Sequence, residues 1–350
     1  MKGFSKRLIR WYESNRRELP WRDTRDPYFV WLSEIILQQT RVDQGMSYYH
    51  KFTSLFPTVA DLANAPEDTI LKAWQGLGYY SRARNLHFTA KMVHLQFGDV
   101  FPKTSKELLQ LKGVGAYTAA AIASFCYGER SAVIDGNVIR VLSRLFAIEH
   151  AADTKEGKKQ IAELAERLID KEDPGTYNQA VMEFGAILCT PKKPACAECP
   201  FAGECLALAA KAVDKFPLQT KRVVVKNVRM NYFFLRENHF TYIRKRSNNG
   251  IWKGLYDFPE SGDQEKPEEA IAFFQQSFAN DQELNVSDVS SEYTHVLTHR
   301  KINARFYEVE LKTKLKETPE DWIKIKLSKL SEYGIPRLID KYLSDRKILE

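Results

Sequence analysis

Leu32, Ile35 and Ile36 recur at helical spacing within the stretch WLSEIILQQTRV, residues 31 to 42, and predict a helix with one buried face. Glu34, Gln38 and Arg41 then fall on a second face, which would aim an acid, an amide and a guanidinium in roughly one direction. Downstream the pattern is one of short helices: one around Thr58 to Ala63, one from Pro66 to Trp74 with the proline in its first turn, and one from Ser81 to Phe97. Residues 104 to 126, TSKELLQLKGVGAYTAAAIASFC, read as a short helix, a hairpin built on Gly113 and Gly115, and an Ala-rich helix. After Asp135, a helix is predicted with Val138, Val141, Leu142 and Leu145 on its apolar face, and TYNQAVMEFGAILC predicts another that delivers Cys189. From about residue 228 the period changes to two. RMNYFFLR and HFTYIRKR around a short polar turn are a hairpin signature, and VLTHRKINARFYEVEL is predicted as one further strand. Helices are expected from Pro267 to Ala279 and from Pro336 to Leu343, so the second half is α+β and the first all-helical. The basic connector KAVDKFPLQTKRVVVKN lies between them, with the boundary near 217 to 227.

Several positions carry chemistry beyond packing. A carboxyl at Glu34 beside so much apolar surface should hold its proton more tightly than usual, whether it is a catalytic acid or only a groove carboxylate. In the 112 to 115 hairpin, glycine permits a tight backbone at a helix start, where consecutive N–H groups point outward. Lys112, Gly113, Val114 and Gly115 would thus cradle one phosphate. Asp135 sits where it would cap the following helix. A second acid at a helix start is also what cleavage of a glycosidic bond needs, because an ionised carboxylate stabilises the cationic sugar left behind. The run QGLGYYSRARN, residues 75 to 85, mixes Tyr79 and Tyr80 with Arg82 and Arg84, which suits either base stacking with phosphate contact or an aromatic turn packed on the core.

The cysteines change the picture most. Cys126 stands alone in the Ala-rich helix and reads as a packed small residue, whereas Cys189, Cys196, Cys199 and Cys205 crowd into a C-x6-C-x2-C-x5-C loop. Such spacing in a reduced compartment suits a structural zinc or a 4Fe-4S cluster, and the lack of two separate C-x2-C pairs or a histidine favours iron and sulfur. His295 and His299 are four apart but in a strand pattern, which brings no metal site. The 350 residues exceed one typical domain; 44% hydrophobic and 28% charged residues describe a globular protein, with no apolar run of membrane-spanning length. The opening MKGFSKRLIRWYESNRR lacks the apolar core of a secretory signal, so a cytoplasmic protein of bacterial type without a targeting signal is expected. A formal net charge of +7 favours a polyanionic partner.

Taken in order, LSEIILQQT, GLGYYSRARNL, LKGVGAYTA, VIDGNVIRVLSR and the cysteine loop resemble the helix-hairpin-helix DNA glycosylase superfamily with an iron-sulfur loop, over roughly residues 5 to 215. Within it, Tyr117 stands where endonuclease III carries its lysine nucleophile, and the SE-x-x-LQQT acid and the entry GIWKGLYDFP, residues 250 to 259, are similar to the MutY family of adenine DNA glycosylases. The resemblance implies a multi-domain chain. An all-α glycosylase domain would span 1–216, with the helix-hairpin-helix at 104–126 and the iron-sulfur loop at 189–205; a linker would span 217–227, and an α+β Nudix-like domain that recognises 8-oxoguanine would span 228–350.

It also implies roles. Glu34 would protonate a flipped adenine, and Asp135 would stabilise the sugar cation with Asn137 and Tyr117 in support. Trp21, Arg22, Leu37 and Gln179 would line the adenine pocket, while Gln38, Gln39 and Tyr79 would serve the space around the opposed 8-oxoguanine. Cys189, Cys196, Cys199 and Cys205 would hold one 4Fe-4S cluster. The partner would be duplex DNA containing A:8-oxoguanine or A:G mispairs, bound by a monomer with no membrane. Two departures stand out: Lys112 replaces the family's usual proline, and Leu297, Thr298 and His299 replace its Phe-Ser-His tip. Thr298 and His299 keep a hydroxyl and an imidazole for the damaged base. KPEEAIAFFQQSF lacks the acidic box of a magnesium-dependent Nudix hydrolase, which argues against nucleotide hydrolysis. Tyr117 in place of lysine argues against an endonuclease III-like lyase for oxidised pyrimidines, and the two acids together argue against a non-catalytic iron-sulfur DNA-binding module.

Overall fold

The computed structural model describes residues 3–220, 225–247, 250–279, 284–297, 299–311 and 318–348. In chain order the helices are α1 (Phe4–Asn15), α2 (Pro27–Leu37), α3 (Val42–Leu55), α4 (Val59–Asn64), α5 (Glu67–Ala73), α6 (Ser81–Phe97), α7 (Ser105–Leu108), α8 (Ala116–Tyr127), α9 (Gly136–Phe146), α10 (Lys155–Leu168), α11 (Pro174–Glu183) and α12 (Leu206–Ala209). There follow β1 (Lys226–Glu237), β2 (Phe240–Lys245), β3 (Tyr256–Asp257), α13 (Pro267–Phe274), β4 (Asn285–Val289), β5 (Tyr293–Leu297), β6 (Arg300–Glu310), β7 (Trp322–Lys326) and α14 (Arg337–Asp345). No described helix is long and apolar enough to cross a membrane. By internal packing the chain divides into two units, Met1–Asn64 with Asn85–Arg222, and Ala65–Arg84 with Val223–Glu350. The segment 65–84 therefore goes with the second unit.

The first unit is helical throughout. Phe4, Leu8 and Tyr12 put one face of α1 into a core shared with Val138, Val141 and Leu142 of α9 and with Tyr177 and Val181 of α11. Asp26 starts α2 by accepting the Tyr28 N–H, with Pro27 at the first helical position. That helix packs on α3 and on α8, whose residues 118–124 are all buried. It ends at Leu37, earlier than its sequence pattern suggests: Gln39 takes a positive φ of 58° and the Thr40 N–H turns back to the Leu37 carbonyl. Gln38 then reaches the Thr118 hydroxyl, while Arg41, past the end of the helix, still lines the cavity onto which Glu34 opens.

The second unit is built on a mixed sheet ordered β3-β2-β1-β6-β4, with β5 also on β6 and β7 also on β2. β1 and β6 run parallel at its centre, and the other pairs are antiparallel. Alternation along β1 sends Phe233 against Phe274 of α13, with ring centroids 3.8 Å apart, and Phe234 against Tyr342 of α14. One helix thus covers each face. The stretch 296–311 is not one strand, as its pattern suggests: Val296 and Leu297 end β5 and Arg300 starts β6, and the two pair antiparallel as the arms of a hairpin. No Gly or Asn marks that turn in the sequence.

Candidate active site

Glu34 lies in the last turns of α2, where Trp31, Leu32, Ile35 and Ile36 fill the core and leave the carboxyl 7% exposed. It opens onto a cavity of about 590 Å³ whose walls also include Trp21, Arg22, Leu37, Tyr117, Asp135, Asn137 and Gln179. They enter from several elements. Trp21 packs edge-on to Tyr49 of α3, Tyr117 comes from the first turn of α8, and Gln179 of α11 accepts a 2.6 Å bond from Tyr12. Burial pushes Glu34 up to about 7, and the charge of Asp135 adds to this against the Tyr117 hydroxyl and Arg22. Tyr117, held above its ordinary value by burial and both carboxylates, also rests its hydroxyl 3.9 Å from the Met182 sulfur.

Asp135 is in a different setting. As the N-cap of α9 it accepts the Val138 N–H at 2.7 Å and the Asn137 side-chain amide at 2.6 Å. Burial raises its pKa, but these two donors and Arg140 all oppose the rise by favouring the charged form. Asn137 is oriented in turn by Arg140, whose Nη2 donates to the Asn137 oxygen at 2.8 Å and to the Gly185 carbonyl at 2.6 Å. Gly185 is needed there, because a Cβ would stand 2.6 Å from that of Asn137. The cavity therefore faces two carboxyls, one short of donors and one well supplied.

Arg22 lines the cavity, but its guanidinium is taken up by Glu183, which also accepts from Arg17. Although burial works against its charge, these bonds hold Glu183 down at about 2. Sequence reasoning missed Glu183. The signal was available, since an acid between Met182 and Phe184 has the same apolar setting that singled out Glu34.

Four thiols gather in the loop after α11. Cys189, Cys196, Cys199 and Cys205 line one small cavity together with Phe184, Leu188 and Leu208. The Phe201 N–H and an Arg144 N–H each point at a sulfur, of Cys199 and Cys189, at 3.4 Å. Arg144, almost fully buried, also donates to the carbonyls of Thr190, Pro191 and Val213. Sulfur donors in an apolar shell with N–H groups aimed at them fit an iron-sulfur cluster. Among the described residues no three His, Cys, Asp or Glu side chains are drawn in around a single metal ion. Arg140 Nε donates to the Cys189 carbonyl at 2.8 Å, so one side chain touches both this loop and Asn137.

The hairpin between α7 and α8 has the expected form. Gly113 takes φ 81°, the Val114 N–H closes a turn onto Leu111, and both apolar residues are buried while Lys112, Gly113 and Gly115 are exposed. The first N–H groups of α8 lack intrahelical acceptors and face outward beside them. Lys112 Nζ lies 4.2 Å over the Phe88 ring. Gln38 reaches the Thr118 hydroxyl at 3.4 Å, and Gln39 is exposed in the turn before α3. In the second unit, Tyr79 is 44% exposed at a positive φ of 47°, and His299 is exposed in the β5–β6 turn next to Leu297. Thr298 lies outside the described residues.

Comparison with known proteins agrees with this arrangement. Residues 32–170 match the HhH-GPD superfamily base excision DNA repair proteins, residues 189–205 the iron-sulfur binding domain of endonuclease III, and residues 231–345 the NUDIX domain. The chain is 31% identical over 348 residues to the adenine DNA glycosylase of Buchnera aphidicola subsp. Acyrthosiphon pisum, covering 98% of this chain and 97% of that one. A thermostable thymine-DNA glycosylase of known structure is 32% identical, with a TM-score of 0.56, covering 60% of this chain and 96% of its own. Endonuclease III in a non-covalent complex with DNA shares the fold at 20% identity, with a TM-score of 0.52 over 59% of this chain and 94% of its own.

Proposed function

The chain belongs to the adenine DNA glycosylase family, and on that premise we propose that, as a monomer, it flips and excises adenine lying opposite 8-oxoguanine or guanine in duplex DNA. The observation that carries the reading is the pair of carboxyls on one cavity with opposite surroundings. Adenine departs poorly as an anion, so an acid must neutralise it as the bond to the sugar breaks. Glu34, with its pKa near neutrality, supplies that proton to N7, and the bonding electron pair leaves with the base. Asp135, supplied with donors by Val138 and Asn137, stays ionised and faces the positive charge that develops on the sugar. Water then adds to the sugar carbon and passes its proton to the ionised Glu34, which restores both groups.

The hairpin 112–115 would hold one phosphate of the flipped strand, and Trp21, Leu37 and Gln179 would enclose the base. Gln38, Gln39 and Tyr79 would occupy the space around the opposed base, with Thr298 and His299 reading 8-oxoguanine. Cys189, Cys196, Cys199 and Cys205 would hold one 4Fe-4S cluster, which when bound cross-links the loop 189–205 and so fixes the Cys189 carbonyl that Arg140 uses.

The test uses three duplexes, with A opposite 8-oxoguanine, A opposite G, and thymine glycol opposite A, each with and without alkali. Release of adenine from the first two with strand scission only after alkali is the expected result. Nicking of the thymine glycol duplex without alkali would replace the proposal with a lyase acting on oxidised pyrimidines.

A further inference from the structure

Tyr79 is the most unusual surface residue of the second unit: a large ring left 44% exposed on a backbone at φ 47°, between Gly78 at φ 73° and a buried Tyr80. Non-glycine residues keep such a conformation only where their surroundings impose it. Locally, the Trp74 indole donates to the Gly78 carbonyl at 3.0 Å, and Arg82 donates to the Leu77 and Gly78 carbonyls at 3.2 Å. The Arg82 guanidinium also lies 5.0 Å from the Trp74 ring centre and 5.8 Å from that of Tyr79.

The turn is pinned on both flanks by residues far away in sequence. Before it, Asp68 accepts from Lys245 at 2.6 Å and from the Tyr256 hydroxyl at 3.0 Å. Lys72 donates to the Tyr333 carbonyl at 3.1 Å, and Gln75 to Asp340 at 3.1 Å. After it, Arg84 donates to the Lys253 carbonyl. The sheet unit that carries the β5–β6 tip thus also carries the exposed ring.

We propose that Asp68, Lys245, Tyr256, Gln75 and Asp340 are positioning residues that set the height and tilt at which the Tyr79 ring meets the strand opposite adenine. This rests on the reading of Tyr79 as a base-contacting ring. Bases offer a stacking face of fixed thickness, so a ring inserted among them works only if its height and tilt are held, and hydrogen bonds on both flanks of a short turn hold them.

The double variant Lys245→Met/Asp340→Ala leaves the segment 65–84 itself unchanged. Each lost pair is partly exposed, so the rate of adenine release opposite 8-oxoguanine under single-turnover conditions should fall roughly three- to tenfold. A 2-aminopurine beside the 8-oxoguanine reports stacking directly, and its emission change on binding should shrink by about half or more on the same grounds. Adding Tyr79→Ala to the double variant should cost nothing beyond Tyr79→Ala alone, because both act through one ring. Tyr256→Phe, which removes a single hydroxyl, should move both readings in the same direction by less. Wild-type emission in the double variant, or rate losses that simply multiply with that of Tyr79→Ala, would overturn the proposal. If Tyr79→Ala alone left both readings at wild-type values, the assignment of the ring to the bases would fall first and the proposal with it.

Discussion

At the scale of single residues, Glu34 can act as an acid at neutral pH because nothing around it compensates fully for the loss of water. Asp135 accepts from the Val138 N–H and the Asn137 amide and feels the charge of Arg140, whereas Glu34 meets the Tyr117 hydroxyl and the charge of Arg22. The rate of base release should therefore fall as pH rises through about 7, where Glu34 loses its proton, and Glu34→Gln should remove that limb. The same variant should lose about 10² to 10⁴-fold in rate, as removal of a general acid does, while still binding DNA. A near-wild-type turnover in single-turnover kinetics would sink the assignment. Stability gives an independent check with the opposite sign. Below pH 4.5, Glu34 is protonated whether the chain is folded or unfolded; as pH rises towards 7, only the unfolded chain ionises freely, so the native state loses stability. At pH 7 and above the cost is on the order of 3 kcal/mol. Glu34→Gln should raise the thermal midpoint at pH 7 and change it little at pH 4.5, which calorimetry at the two pH values will show.

Among the elements, the hairpin 111–115 shows what a few residues can specify locally. Gly113 both takes φ 81° and sits so that a Cβ would come within 2.7 Å of the Asn85 side chain. Gly113→Ala should cost about 1 to 3 kcal/mol from backbone strain alone, and it should weaken binding to undamaged duplex and mispaired duplex alike, as measured by fluorescence anisotropy. Wild-type affinity of the variant for both duplexes would show that the cradle does not hold a phosphate. Elements of this kind were legible because glycine, proline and capping residues punctuate them: α6 and the short helices around α4 and α5 follow their periodicity closely. Three long helices, α1, α3 and α10, have no counterpart among the elements expected from sequence, although Phe4, Leu8 and Tyr12 recur at helical spacing. The early stop of α2 left no such mark. Gln39 carries the positive φ without being glycine, so the helical face predicted through Arg41 stops at Leu37, although Arg41 still lines the cavity with Glu34.

For the whole molecule, the sequence offers a clean cut near residue 217, yet the segment 65–84 belongs with Val223–Glu350. Its partners lie more than 150 positions away, and no local pattern announces a contact of that span. Leu71 shows what is at stake. It is 1% exposed, a Cβ on Gly254 would lie 3.1 Å from its side chain, and Gly334 comes close to its backbone. A chain cut after residue 222 would uncover Leu71 and remove the bonds that Asp68, Lys72 and Gln75 make to Lys245, Tyr333 and Asp340. Exposing one leucine costs about 1.5 to 3 kcal/mol, and for a piece of about 220 residues each kcal/mol lowers the midpoint by about 2 to 4 °C. The truncated chain should therefore unfold about 3 to 12 °C below the corresponding transition of the full chain, with its iron retained. Its rates on A:8-oxoguanine and A:G duplexes should also converge, because the ring of Tyr79 loses its support together with the tip at His299. An unchanged midpoint in calorimetry would mean that residues 65–84 are held by the helical unit alone, and the division of labour between the two strands of the duplex would have to be drawn elsewhere.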